Sequence, residues 1–291
     1  MMKLIALLVI AVCAQELTVR DFGPSEADLR VVIVCGQHPR EAFSRVLCER
    51  WALLLERYPP ERVRVVIVPD SNPDGTALWA TGADRFACWR GNARGVDLNR
   101  NWPPLEQCVY ELDTDASVLE REWSHGETPF SEWETRALDR LLRSVEPDLL
   151  LNVHTGALAL LTPYDACGAR SPVNRRDLVR VANWLRSDGV CEECVVGGGA
   201  QVLYPAAGTL IDYAHHFLRV PLVYTLEAFA PPLRPVGELT PQECRRLFSP
   251  NNQTMAYVDH ARRWDRMIYR LAHPDNDNME TLLEYAGVLQ A

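Results

Sequence analysis

The stretch VVIVCGQHPRE (Val31–Glu41) decides how this chain is read. Five mostly branched apolar residues run into Gly36, the pattern of a buried strand closed by a turn residue. His38 and Glu41 follow, three positions apart, a spacing that puts both on one side of a first helical turn. Such a pair either ligates a metal at the mouth of a strand or simply opens a helix. An isolated His-x-x-Glu is common by chance, so the decision rests on what the rest of the chain places at equivalent points.

Three more apolar runs read as strands: VRVVIVPD (63–70), DLLLNVH (148–154) and PLVYTLE (221–227). Helical periodicity marks FSRVLCERWALLLERY (43–58), RRDLVRVANWLRSDG (175–189, closed by Gly189) and AYVDHARRWDRMIYRLA (256–272). SEWETRALDRLLRSV (131–145) adds a helix whose Ser131 and Glu134 have capping-box spacing. The tail holds one more short helical stretch, METLLEYA (279–286). Near-continuous apolar strands separated by helices predict an α/β fold: a single domain with a mixed, mostly parallel central sheet and helices on both faces. No repeat, low-complexity block or interdomain linker interrupts it.

Three of the apolar runs end on a metal ligand or a base: VVIVCGQ at His38, DLLLNV at His154 and PLVYTL at Glu227. Open α/β sheets bind ligands outside the carboxyl ends of their strands. Two histidines and a glutamate form a known catalytic zinc set. Zinc acidifies water and polarises a carbonyl, and a carboxylate that is not a ligand can then take and deliver the proton. Glu227 is the residue for that role. Each residue alone has an ordinary reading: His154 as a hydrogen-bonded core histidine, Glu227 as a solvated charge. Together they define a site. NPDG (72–75) alone is only a turn. CWRGNARGVDLNRNWP (88–103) sets Arg90, Arg94 and Arg100 beside Asn92, Asn99 and Asn101, donors suited to a carboxylate.

Bulk composition agrees. Over 291 residues, 47% are hydrophobic and 24% charged, as in an ordinary globular protein. A formal charge of −9 argues against binding nucleic acid. MMKLIALLVIAVCA (1–14) has one Lys, an apolar run and small residues at its end, the pattern of a secretory signal peptide. Its apolar run is shorter than the roughly 20 residues a membrane span needs. The expectation is a secreted protein with residues 15–291 as its catalytic domain. Asn252, in NQT, is a glycosylation sequon consistent with secretion. Of nine cysteines, Cys13 lies in the leader and eight remain, an even number that permits disulfides. Cys35, inside an apolar strand, reads as a small core residue. Cys191-x-x-Cys194 invites a zinc or redox reading, but without a second such pair or a nearby His a metal is not expected there.

GQHPRE, NPDG, WRGNARGVDLNRNW, PFSEWETRAL, NVH, YPAAGTLIDY and YTLE, in this order, resemble the zinc metallocarboxypeptidase family, the carboxypeptidase A/B group, over roughly residues 17–270. The resemblance implies one Zn2+ per chain on His38, Glu41 and His154. It implies Glu227 as general base and Arg90 as the group that holds the oxyanion. Asn99 and Arg100 match the pair that grips a free C-terminal carboxylate, Tyr204 the mobile tyrosine that closes over it, and Arg40 a secondary substrate contact. Asp97 matches the carboxylate that orients the first zinc histidine. Ile211 matches the floor of the pocket for the C-terminal side chain, which implies a preference for apolar or aromatic residues; an acid at that point, as a shift onto the adjacent Asp212 would give, selects Lys and Arg instead. Cys88 with Cys108 is the pairing expected. No activation segment is recognisable between leader and first strand. The implied protein is a monomer acting on peptides or proteins with a free C-terminal carboxylate. Two alternatives stand beside it: a murein-type peptidase cutting γ-D-glutamyl-diamino acid links, and an inactive peptide-binding relative.

Overall fold

A computed structural model describes residues 16–106, 108, 124–167, 171–230, 239–248 and 255–287. The leader (1–14) and the Asn252 sequon lie outside the described residues. Seven strands build one sheet: β1 (Arg20–Phe22), β2 (Leu29–Cys35), β3 (Val63–Val68), β4 (Leu149–His154), β5 (Leu158–Thr162), β6 (Val195–Gly198) and β7 (Leu222–Ala228). Their order across the sheet is β1-β3-β2-β4-β7-β5-β6. The β3-β2-β4-β7 centre is parallel, β1 and β5 pair antiparallel to β3 and β7, and β6 lies parallel to β5. The mixed, mostly parallel sheet expected from the apolar runs is therefore present. The edge strands β1 and β6, and β5 between β7 and β6, carry no long apolar run and were not legible as strands.

Alternate residues of the central strands face opposite layers, as the period of two requires. Val31, Ile33, Val65, Ile67, Leu149, Leu151 and Tyr224 share one apolar cluster with side chains of α1 (Ala42–Arg57), α4 (Arg175–Arg186), α8 (Met255–Ala272) and α9 (Asn276–Tyr285). Val32, Val34, Val66, Val68, Leu150 and Val223 share the other with α3 (Trp133–Val145) and α6 (Leu210–His216). Strands buried on both faces explain why they read as unbroken apolar runs rather than alternating ones. α2 (Pro73–Ala80), α5 (Gly199–Val202) and α7 (Pro241–Leu247) complete the described α-helices, beside one 3-10 turn at Asp84–Phe86. Among the described residues no helix is long and apolar enough to cross a membrane.

Two local expectations fail. α3 starts at Trp133, with Glu132 at its cap and no side-chain capping bond. Ser131 Oγ instead donates to Glu132 Oε1, and Glu134 accepts from Asn92, so burial of this segment against the Arg-rich loop displaces the capping box. The α4 helix ends at Arg186, not Gly189. The chain turns back through Asp188 and Gly189, both at positive φ.

Four disulfides join Cys35–Cys48, Cys88–Cys244, Cys108–Cys167 and Cys191–Cys194. Cys35 is thus not a free core thiol: its side chain meets Cys48 across the β2-to-α1 connection. The expected pairing of Cys88 with Cys108 is wrong: Cys88 meets Cys244 of α7 and Cys108 meets Cys167, 156 and 59 residues away along the chain.

Candidate metal centre and its cleft

Strand register assembles the site. β4 and β7 pair so that His154 lies directly opposite Glu227, and Cys35 at the end of β2 lies opposite Val153. The carboxyl ends of three central strands therefore finish side by side. Gly36 turns the chain away from β2 at φ 75°, and a Cβ there would strike Arg45 and Asp70. The turn brings His38 and Glu41 over the ends of β4 and β7, with Glu41 at the cap position of α1.

His38, Glu41 and His154 are buried and converge, offering ligand atoms within 4.8 Å of one another. Glu41 Oε1 lies 2.8 Å from His38 Nδ1, and Oε2 lies 2.9 Å from His154 Nδ1. The two Nδ1 atoms are 3.1 Å apart. Burial works against the charge of Glu41, but the two histidines outweigh it and hold the carboxyl well below its usual range. Two imidazole nitrogens and a carboxylate in a buried cluster fit the donor set of a catalytic zinc.

The histidines are fixed from behind. His38 Nε2 meets Asp97 Oδ1 at 2.9 Å, and Arg90 Nε donates to Asp97 Oδ2 at 2.6 Å. Burial opposes the Asp97 charge; Arg90 and His38 overcome this and hold it well below the ordinary carboxylate range. Arg90 also reaches Glu41, 3.7 Å away. Asn99 donates its backbone N–H to Asp97 Oδ1, and its own Oδ1 accepts from the Leu210 N–H. Arg100 Nη1 donates to the Asn99 carbonyl.

A cavity of about 420 Å³ opens in front of this group. Arg40, Arg90, Asn99, Arg100, Tyr204 and Glu227 all line it. Glu227 Oε2 is buried without a hydrogen-bond partner among the described residues. Burial raises the Glu227 carboxyl to about 7, with His154 and Arg90 pulling down and Glu41 pushing up. Tyr204 stands at the rim, 41% exposed. Arg40 stacks over the Phe248 ring at 4.8 Å and donates to the Cys88 carbonyl. Thr155, which the sequence did not single out, donates its N–H to Glu41 Oε2 and its hydroxyl to the Phe248 carbonyl.

Ile211 is the exception. It is fully buried in the apolar cluster with Trp102 and Tyr213 and does not line the cavity. Successive helix residues point about 100° apart, so α6 sends Ile211 to the sheet and Asp212 to the 165–166 turn. There Asp212 accepts the N–H groups of Asp165 and Ala166. The cavity wall at this point is Asp165. Burial raises the Asp165 carboxyl to about 6, against a hydrogen bond from Thr209 and the field of Arg100. Burial and the Asp165 charge push Asp212 well above the usual range. Ile211 thus stands away from the cavity, and the wall on this side combines Asp165 with Leu161, Val202, Leu203 and Ala206. The sequence offered only the Asp212 alternative as a signal, and nothing in TPYDA marked Asp165.

The zinc carboxypeptidase family model matches residues 17–233. The human carboxypeptidase N catalytic chain is 33% identical over 153 residues, 46% of this chain and 32% of that protein. Murein peptide amidase A of Escherichia coli K12 is 32% identical over 127 residues, 42% of this chain and 48% of the amidase. Among solved structures, bovine thrombin-activatable fibrinolysis inhibitor in complex with tick carboxypeptidase inhibitor matches with a TM-score of 0.59. The match has 22% identity and covers 84% of this chain and 83% of that one. The matched stretch is about a third of the length of the human relative. A family model spanning all seven strands, the convergent residues and the Arg-rich loop establishes that this chain belongs to the zinc carboxypeptidase family.

Proposed function

We propose that the protein is a secreted, monomeric zinc carboxypeptidase that removes the last residue of peptides with a free C-terminal carboxylate, and that it favours a basic residue there. The observation that carries the hydrolytic reading is the buried, unpartnered Glu227 Oε2 in the same cavity as His38, Glu41 and His154. A zinc ion on those three residues supplies Lewis acidity toward a carbonyl and toward water. Glu227, raised to about 7, accepts a proton from the attacking water and passes it to the leaving amine. Arg90, held by Asp97, presents its guanidinium to the developing oxyanion. Arg100 and Asn99 bind the C-terminal carboxylate, and Tyr204 at the rim covers it.

Secretion is supported by the four disulfides, which persist in oxidising compartments. The preference for Lys or Arg is supported by Asp165 in the cavity wall with Asp212 behind it. A charged Asp165 disfavours an apolar guest and stabilises a cationic one, while Asp212 holds the turn that carries it. A murein-type diamino acid also carries an ammonium group that Asp165 would accept, so it is the competing substrate. The test is a panel of blocked dipeptides ending in Arg, Lys, Phe, Leu or Glu, beside a muropeptide, each with and without a zinc chelator. Chelator-sensitive cleavage led by Arg or Lys is expected. Cleavage led by Phe would sink the basic preference, and muropeptide cleavage alone would transfer the activity to the murein reading.

A further inference from the structure

The two histidines of the metal group are supported differently. Both turn Nδ1 toward the shared centre, so both depend on what holds Nε2. His38 Nε2 is held by the carboxylate of Asp97. His154 Nε2 lies 3.2 Å from Oε1 of Gln37, a neutral side-chain amide. Gln37 is 2% exposed. The same Oε1 accepts from Asn152 Nδ2 at 2.9 Å, and Asn152 is wholly buried in β4, two residues before His154. With Asn152 Nδ2 donating to it, the Gln37 Oε1 is the acceptor placed for an Nε2–H of His154. The main chain of Gln37 is pinned as well, because Asn72 Nδ2 donates to its carbonyl at 2.8 Å. Asn72 Oδ1 in turn caps α2 through the Gly75 N–H, which gives the NPDG turn a part in the site.

We propose that Gln37 is the positioning residue for His154, with Asn152 as its clamp. The inference rests on the zinc reading of the site given above. A neutral imidazole has one N–H and one lone pair. When Nε2–H is committed to the Gln37 oxygen, the lone pair sits on Nδ1 and the ring plane is fixed toward the metal. Without that acceptor the ring is free to rotate or to adopt the other tautomer. The consequence falls on metal affinity first, because partners of this kind typically change it by about 10–100-fold. Asp97 cannot substitute, since both of its oxygens are engaged by His38 and Arg90.

The test measures zinc dissociation constants by competition with a chromophoric chelator. It uses the full chain, wild type and variants, with thermal melting of the metal-free forms as the folding control. Gln37→Met keeps length and volume but removes the acceptor; its zinc affinity should fall by about 10–100-fold. Gln37→Glu restores an acceptor oxygen at the same reach and should return affinity to within about threefold of wild type, a rescue that a packing role would not give. Asn152→Ala leaves Gln37 in place but unclamped and should lose affinity by a smaller factor. This variant keeps the test open should Gln37→Met fail to fold. In the zinc form, the wild-type His154 Nε2–H should give a slowly exchanging imidazole resonance that Gln37→Met lacks. Unchanged zinc affinity in Gln37→Met or, if it does not fold, in Asn152→Ala, with wild type binding one zinc, overturns the role of Gln37 while leaving the zinc site standing. Failure of wild type to bind zinc overturns both.

Discussion

In the proposed preference for a basic residue, Asp165 and Asp212 act as a pair rather than singly. Asp212 spends both oxygens on the backbone of the 165–166 turn, which leaves Asp165 as the group facing the cavity. Its carboxyl is raised to about 6 by burial, so it is charged above that pH and neutral below it. A guanidinium or ammonium favours the charged form. KM for an Arg-ending dipeptide should therefore rise as pH falls through about 6, while KM for a Leu-ending one stays nearly flat. Asp165→Asn should lower kcat/KM on the Arg substrate by about 10–100-fold, the range expected from losing a hydrogen bond to a charged group. Parallel pH profiles for both substrates, or an Asn variant that still prefers Arg, would remove Asp165 from substrate selection. At this scale the sequence was most informative where a polar residue ends an apolar run, as His38, His154 and Glu227 do. Asp165 follows a short strand, and only the fold brings it to the cavity.

Elements extend the same lesson. The long central strands were legible because burial on both faces leaves an uninterrupted apolar signature. β5 was not, since its five residues, LALLT, give neither alternation nor length to separate strand from helix. Its antiparallel pairing with β7 nevertheless positions the 163–166 turn, and with it the acidic wall. Cysteine pairing was equally hidden, because eight cysteines allow 105 connectivities and only tertiary contact selects one. The Cys88–Cys244 bridge is the one with most bearing on the cleft. It ties the segment two residues before Arg90 to α7, which carries a Thr240–Glu243 capping box and leads to Phe248. Arg245 adds hydrogen bonds to the Trp79 and Ala83 carbonyls. The double change Cys88→Ser with Cys244→Ser should lower the thermal midpoint by about 5–15 °C, as loss of a native disulfide implies. KM for tripeptides should also rise more than KM for dipeptides, because the Arg40–Phe248 wall loosens. An unchanged midpoint would mean that α7 is held by its other contacts.

Across the whole molecule, the site is a property of sheet register. No stretch of the chain contains more than two of the three candidate metal ligands, and Glu227 comes 73 positions after His154, by their numbers in the sequence. Parallel pairing of β2, β4 and β7 brings all of them to one edge, and the turn at Gly36 closes the set. The order of motifs was readable from sequence, because strand ends in a parallel sheet share an edge whatever their separation. Which side chains then face the cleft was not, as Ile211 and Asp165 demonstrate. The central claim is that this edge holds a zinc ion and, separately from it, a base. It is tested most directly by the turnover of Glu227→Gln at full zinc loading, on the best substrate of the dipeptide panel. The account predicts one zinc per chain, unchanged from wild type, with kcat reduced by about 10²–10⁴-fold. Wild-type turnover by the zinc-loaded Gln variant would contradict it.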